Sequence, residues 1–466
     1  MTKTLVMKFG GTSVGSAAAI RRVIEVVKTA RPDWPRLAVV VSAMSGVTDA
    51  LLGAAHAAAN GEDGFHRTAT ELSEKCLGVL HELAPEAGEV EQVISAQLDE
   101  FSALCHAIGV LGEASPRALD AIACLGERMS APLVAAALAG AGVPARAVDA
   151  SQIVVTDAVY QSASPDMEAT QARAESLLGP MFVEGVVPVI TGFVGATKAG
   201  VVTTLGRGGS DFSAAIFGVA LGADEVWIWT DVSGVMTADP RVVPAARTLP
   251  ELTFREISEL AFYGAKVLHP KTIRPVVERG MALWVKNTFE PAHSGTRIVL
   301  DNGAARGAVK AVTAFKGQCI ITLEGRGMIG IPGIAARTFA AVARTKTSVA
   351  MISQASSEQS ICFVVPCKAA DAVKHALEEE FRLELARRDI DSITSTDECA
   401  VVTVVGAGMR HTPGIAGRVF SALGGAGVNV VAIAQGSSEC SISLVVAARE
   451  ADEAVRAIHW LIVGAQ

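Results

Sequence analysis

Several stretches of this chain place charged or hydroxyl side chains inside glycine-rich turns, where chemistry is easily arranged. The first is KFGGTSVG (Lys8–Gly15), which leaves an apolar strand and enters a helix. Paired glycines at Gly10 and Gly11 let backbone N–H groups approach an anion, and a helix N-terminus adds partial positive charge. Lys8 supplies a full charge beside them, so the turn suits a phosphate. An ordinary tight turn with Lys8 in solvent is the alternative. No GxxxxGK[ST] occurs, so this is not a Walker loop. The same residues contain G-x-S-x-G around Ser13, but an esterase elbow follows several strands, and here only a dozen residues precede the serine.

A second turn, TTLGRGGSD (Thr203–Asp211), carries Arg207, Ser210 and Asp211. Arginine suits bidentate recognition of a carboxylate or phosphate, and an aspartate there can orient a lysine or help hold a magnesium ion. A third, WTDVSGVMTADPR (Trp229–Arg241), offers Thr230, Asp231, Asp239 and Arg241. YGAKVLHPKT (Tyr263–Thr272) adds Lys266 and His269, which read equally as site residues or as a surface lysine and a helix cap. GRGMIG (Gly325–Gly330) satisfies G-x-G-x-x-G, yet Ser348–Val349–Ala350 stand where a dinucleotide site needs its acid, about 20 residues on. A dinucleotide site is therefore not expected.

These turns need a scaffold. Residues 4–9 and Leu37–Val41 are apolar runs ending in small-residue turns, and Val186–Ile190 and Glu225–Trp229 repeat the design. Between the first two, Ile20, Val23, Ile24 and Val27 fall on one helical face. Strand, polar turn and helix in alternation predict an α/β fold with a mostly parallel sheet covered on both faces, ligands binding at the carboxyl ends of strands. Residues 60–120 read as a helical insertion.

The chain has 466 residues, more than one core usually serves, half of them hydrophobic and 19% charged. A formal net charge of −8, no basic tract and only two tyrosines exclude a nucleic-acid binder. The longest uncharged run, Val419–Ser438, changes periodicity midway and reads as a buried helix followed by a strand, not a membrane span. Lys8 and the glycines interrupt the start before a secretory signal could form, and the eight cysteines show no CxxC pair. A cytoplasmic protein with buried free thiols and no membrane association is expected.

Beyond Pro291–Gly307 the chain repeats itself. GRGMIGIPGIAARTF from Gly325 returns 81 residues later as GAGMRHTPGIAGRVF from Gly406. The same offset aligns Gln354–Glu358 with Gln435–Glu439. Each copy reads as strand, Gly/Pro loop, helix, strand, tight turn, strand, which implies paired α/β modules with two related pockets.

Together these motifs, with GER at Gly126–Arg128 and TGF at Thr191–Phe193, closely resemble the aspartate kinases of the amino-acid kinase fold followed by tandem ACT domains. The ACT region is most similar to that of the bifunctional aspartokinase–homoserine dehydrogenases. The sequence ends after the second module, so no dehydrogenase half is expected. The resemblance implies a three-layer αβα catalytic domain over residues 1–300 and two βαββαβ ACT modules at 308–390 and 391–466, with strands open to exchange between them.

It also implies transfer of the ATP γ-phosphoryl group to the side-chain carboxylate of L-aspartate, the first step toward lysine, threonine and methionine. A carboxylate is already ionised at neutral pH, so no general base is needed, and catalysis must come from charge neutralisation and positioning. By resemblance Lys8 and Asp211 are catalytic, with Gly10, Gly11 and Ser13 in the cradle. Ser42, Thr48, Glu127, Arg207 and Ser210 bind aspartate, Arg207 taking the α-carboxylate and Glu127 the ammonium. Thr230, Asp231, Asp239, Arg241 and Lys266 hold ATP, and Mg2+ arrives with the nucleotide rather than on dedicated side-chain ligands. Met236 stands where many members carry an aromatic residue, a change that bears on purine affinity. Gln354 and Gln435 match effector positions; threonine is favoured over lysine, because Ala350 stands where lysine-sensitive relatives often carry an acid. A homodimer or larger assembly through the ACT modules is expected.

Overall fold

Every residue of Thr4–Phe9 is buried, the signature of a central strand covered on both faces. In the computed structural model, which describes residues 3–206, 208–263, 268, 270–300, 309–354, 359–436 and 439–463, that strand (β1) lies mid-sheet. After it come α1 (Ala17–Ala30), β2 (Arg36–Val41) and five helices: α2 (Val47–Ala59), α3 (Phe65–Leu83), α4 (Gly88–Leu111), α5 (Pro116–Ala123) and α6 (Leu125–Gly140). β3 (Ala145–Val148), β4 (Val155–Thr156), α7 (Met167–Val183), β5 (Val187–Thr191), β6 (Val194–Thr197) and β7 (Val202–Thr204) follow. Next are α8 (Gly209–Ala220), β8 (Glu225–Thr230), β9 (Glu251–Thr253), α9 (Phe254–Phe262), α10 (Pro270–Glu278), β10 (Ala282–Asn287) and β11 (Thr296–Val299).

The described residues divide into two compact units. In the first, an eight-stranded sheet runs β3-β5-β2-β1-β8-β10-β11-β9, parallel except at β10–β11. Register sets Leu5, Met7 and Phe9 beside Leu37, Val39 and Val41, and these side chains pack under α1–α6. α7, α8 and α10 cover the opposite face. The carboxyl ends of β5, β2, β1 and β8 thus lie side by side, and the turns at Gly192, Ser42, Gly10 and Asp231 leave from them. Pro116–Gly140 is long and apolar enough to cross a bilayer, but 78% of its most apolar window is buried inside the protein. It is a core segment.

The second unit is built around the repeat: β12 (Ala311–Glu324), α11 (Ile334–Arg344), β13 (Met351–Gln354), β14 (Ser360–Pro366), α12 (Cys367–Glu380), α13 (Arg382–Arg387), β15 (Ser392–Ser395), β16 (Cys399–Val405), α14 (Ile415–Gly425), β17 (Ala432–Ala434), β18 (Ser441–Ala447) and α15 (Ala451–Val463). One antiparallel sheet runs β13-β14-β12-β16-β18-β17, with β15 also on β12. The 14-residue β12 is shared: residues 311–318 pair with β16 of the second repeat and residues 318–324 with β14 of the first. α11 and α12 enclose one core, α14 and α15 another.

Two features depart from the sequence reading. A single cut near residue 300 does not describe the division, because Met236–Leu249 and Arg255–Lys266 group with the second unit. Ala238 and Val243 pack into the core of the second repeat, and Tyr263 packs among Ile320, Met351, Val401 and Val445. The thiols also differ from expectation, since Cys319 and Cys367 form a disulfide. The register sets Cys319 opposite Val365, two residues before Cys367, which brings their Cα atoms to 4.9 Å, within reach of a bridge. The other six cysteines are thiols.

Candidate functional site

Lys8 occupies the middle strand, paired in register with Val40 on one side and Ile228 on the other. Only 8% of the residue is exposed, and its ammonium lies 2.7 Å from an oxygen of Asp211. Asp211 falls in the first turn of α8, where the helix dipole favours negative charge. Just beyond Lys8, Gly10 N–H donates to Trp229 O at 3.2 Å, and Ser13 and Val14 N–H both donate to Gly10 O. Among the described residues the Gly11 and Thr12 amides have no partner, which leaves them free to serve as anion donors.

The glycines are fixed by close approach. A Cβ on Gly11 would lie 2.9 Å from Ala43 O, and one on Gly126 would lie 2.7 Å from the Ala43 side chain. Gly11 and Gly126 therefore let the cradle and the first turn of α6 close around Ala43. Ser13 is fully buried and its hydroxyl is 2.7 Å from that of Thr288, which ties the turn to the end of β10.

Beside the cradle is a cavity of about 680 Å³ lined by Ser42, Thr48, Asp49, Glu127, Ser210 and Gln161 together with Phe193 and Thr204. Four of the expected aspartate-binding residues, Ser42, Thr48, Glu127 and Ser210, thus come together. Ser42 Oγ donates to Ser210 Oγ at 2.8 Å, and Ser130 Oγ donates to Ser42 O at 2.7 Å. Glu127 is the unusual group. It is 4% exposed, and its Oε2 is buried with no hydrogen-bond partner. Burial pushes its carboxyl up to about 8, offset only in part by the Ala43 and Glu127 amides and the Lys8 charge. Arg128, next to it, instead pairs with Asp149 at 2.8 Å and secures the helix.

Thr230 and Asp231 stand at the end of β8, with the Thr230 hydroxyl donating to Asp231 at 3.1 Å. Asp239 and Arg241 belong to the second unit and pair with each other at 2.6 Å; hydrogen bonds from Arg241 hold the Asp239 carboxyl below the usual carboxylate range. Their segment is fastened by Thr237, whose hydroxyl is 2.9 Å from His459 Nε2 on α15. Met236 is half-buried and bridges to Thr248. Gln354 ends β13 and Gln435 follows β17, both exposed. Arg207, Lys266 and His269 lie outside the described residues.

Sequence reasoning missed Asp120, a residue 1% exposed on α5. Its carboxylate accepts from Thr204 N and Oγ1 at 3.0 and 2.6 Å, and from Gln161 N at 3.0 and 3.1 Å. An acid on the inner face of an amphipathic helix was the available signal. Gln161 was also unmarked, and Phe193 was marked only as the end of the TGF motif; each adopts positive φ, 66° and 67°.

A lysine–carboxylate pair at a glycine turn, open amides and an adjoining amino-acid-sized cavity at the strand ends define a phosphoryl-transfer fold of the αβα type. Comparison with known proteins gives it a family. The amino acid kinase family matches residues 3–287, and the ACT domain matches residues 321–381 and 402–460. Aspartokinase 3 of Arabidopsis thaliana is 34% identical over 465 residues, covering 98% of this chain and 81% of its own. The chain therefore belongs to the amino acid kinase family and, within it, to the aspartokinases. The bifunctional aspartokinase/homoserine dehydrogenase 1 of Zea mays is 36% identical over 97% of this chain, which spans 50% of that protein's length. Escherichia coli aspartokinase III, solved in complex with aspartate and ADP, superposes with a TM-score of 0.81 at 29% identity, covering 98% and 99% of the two chains.

Proposed function

We propose that this chain phosphorylates the side-chain carboxylate of L-aspartate with ATP, giving 4-phospho-L-aspartate and ADP. The observation that carries the reading is Glu127: a buried carboxylate with an unpartnered oxygen in the wall of a cavity beside a phosphate cradle. Such a group is costly unless a cation completes it, and the α-ammonium of an amino acid is a cation of the right size. The acceptor carboxylate is already ionised, which agrees with a wall that has no histidine among its described residues.

In this scheme Lys8, oriented by Asp211, neutralises charge on the transferring phosphoryl group, while the Gly11 and Thr12 amides bind phosphate oxygens. Arg207 takes the α-carboxylate, and Ser42, Thr48 and Ser210 fix the acceptor. Thr230 and Asp231, at the end of β8, hold the nucleotide. Mg2+ would enter with ATP, beside Asp211. Bound Mg2+ would neutralise phosphate charge.

Regulation belongs to the repeat. A threonine effector would engage Gln354 and Gln435, with lysine the competing candidate, and the ACT modules would pair subunits into a homodimer or larger assembly in the cytoplasm. Solved aspartokinase III of E. coli in complex with lysine and aspartate supports an amino-acid effector. Hydroxylamine trapping tests the whole reading: with Mg-ATP and L-aspartate, aspartyl hydroxamate should form and fall when threonine is added. Hydroxamate that ignores threonine would remove the effector assignment alone. Threonine binding without hydroxamate would make the chain a sensor and not a kinase.

A further inference from the structure

Gln161 is held in a conformation that glutamine disfavours, at the wall of the cavity. Its φ of 66° is left-handed, where a side chain crowds its own backbone and glycine is at ease. The surroundings enforce it. The buried Asp120 carboxylate takes the Gln161 N–H with both oxygens, at 3.1 and 3.0 Å, while its other bonds tie it to Thr204. On the other side, Gly206 lies so close that a Cβ there would be 2.8 Å from Gln161 O. One carboxylate on the N–H and a glycine against the carbonyl thus hold the backbone from which this side chain leaves. That side chain is exposed, lines the cavity with Ser42, Thr48, Glu127 and Ser210, and has no hydrogen-bond partner among the described residues.

Strain that the fold overdetermines is common where a side chain must meet a ligand. The neighbours indicate which part of a ligand. Asp49 and Glu127 are acids suited to cations, and the Ser42 hydroxyl already donates to Ser210. The Gln161 amide is a neutral N–H donor with its hydrogens unspent, which suits a carboxylate.

We infer that Gln161 is a specificity-determining residue of the acceptor site, its side-chain amide donating to a carboxylate of the amino-acid substrate while Asp120 positions it. The inference rests on the kinase reading above. It predicts an unusual pairing of effects, because the residue best for the backbone is the wrong one for the substrate. Gln161→Gly relieves the left-handed strain and deletes the contact. Gln161→Glu keeps the size and replaces the donor with a charge that repels the carboxylate.

The experiment is steady-state kinetics of full-length wild type, Gln161→Gly and Gln161→Glu by hydroxylamine trapping, varying aspartate and ATP separately, with thermal melts of each. Expected for Gln161→Gly is an aspartate KM raised about tenfold, an unchanged ATP KM and a Tm equal to or above wild type. Gln161→Glu should raise the aspartate KM further. An aspartate KM unmoved in both variants overturns the inference while leaving the kinase reading intact. A lowered Tm with both KM values raised assigns Gln161 a structural role and also overturns it. A wild type that forms no hydroxamate overturns the kinase reading and this inference with it.

Discussion

The two charged ends of the proposed catalytic site are built on opposite plans. At the phosphate end, the buried Lys8 and the half-buried Asp211 lie 2.7 Å apart, so each charge is compensated before any substrate arrives. At the amino-acid end, Glu127 is buried but has an orphan oxygen and a carboxyl pushed up to about 8. The first end is preorganised: its dipoles and charges need not rearrange as phosphate charge develops, which is where electrostatic catalysis gains most. The second end is incomplete without its ligand. In the proposed scheme its desolvation cost is recovered when the substrate ammonium binds, so this end serves recognition.

The sharpest break of this contrast is Lys8→Ala. It should lower kcat by about 10²–10³-fold, the loss expected when a preorganised charge at the reacting group is removed. Turnover of the purified variant at the wild-type rate would show the cradle to be misassigned. Glu127→Gln should act on the other end alone. It should raise the aspartate KM by about a hundredfold with the ATP KM unchanged, since the ammonium loses its buried counter-charge. Equal changes in both constants would contradict the division between ends.

The same group gives a pH signature. The Glu127 carboxyl is protonated in the free protein below about 8 and must be ionised to meet an ammonium. Aspartate KM should therefore fall as pH rises toward about 8, and Glu127→Gln should flatten the profile. The sign for stability is the reverse. Because the folded state raises this carboxyl from 4.5, the fold binds the proton more tightly than the unfolded chain between 4.5 and about 8, so stability falls as pH rises through that window. Melts of wild type and Glu127→Gln should diverge from pH 5 to pH 8, with the variant gaining relative to wild type. Parallel melting curves would show the carboxylate to be better solvated than its burial implies. The smallest effect is steric. Gly11→Ala drives a methyl to within 2.9 Å of Ala43 O and should cost about 1–3 kcal/mol, measured by denaturant titration.

How far the sequence reveals these arrangements follows from the range of the forces involved. β1, β2, β5 and β8 were legible because strands buried on both faces are uninterrupted apolar runs, and the glycine turns that leave them mark their carboxyl ends. Lys8 with Asp211, and the Ser42, Thr48, Glu127 and Ser210 group, were legible through motifs and through resemblance to a family. The hydroxyl partner of Ser13 was not legible, because Thr288 is 275 residues away. Asp120 offered one local signal, an acid on the inner face of an amphipathic helix, but its partners and the role of Gln161 were illegible for the same reason. Their bonds join an ordinary helix to a loop 41 residues on, and glutamine gives no hint of a left-handed backbone. The 81-residue repeat told that there are two modules. It could not tell that residues 236–249 and 255–266 would group with them, because burial against a distant sheet has no local period.

The shared strand β12 has a consequence for how this regulatory region can change over generations. A duplicated gene segment usually leaves two copies free to diverge, be lost or be transplanted. Here the copies are stitched along one strand, residues 311–318 belonging to the neighbour's sheet and residues 318–324 to their own, with β15 returning from the second copy to the first. Deleting either copy strips hydrogen-bonding edges from the other, and an insertion within β12 shifts the pairing of both. Loops such as Gly325–Gly333 and Gly406–Gly414 can drift apart in chemistry, Ile329 and Ile331 facing Arg410 and Thr412 in the alignment, while the seam between the copies is inherited as one piece.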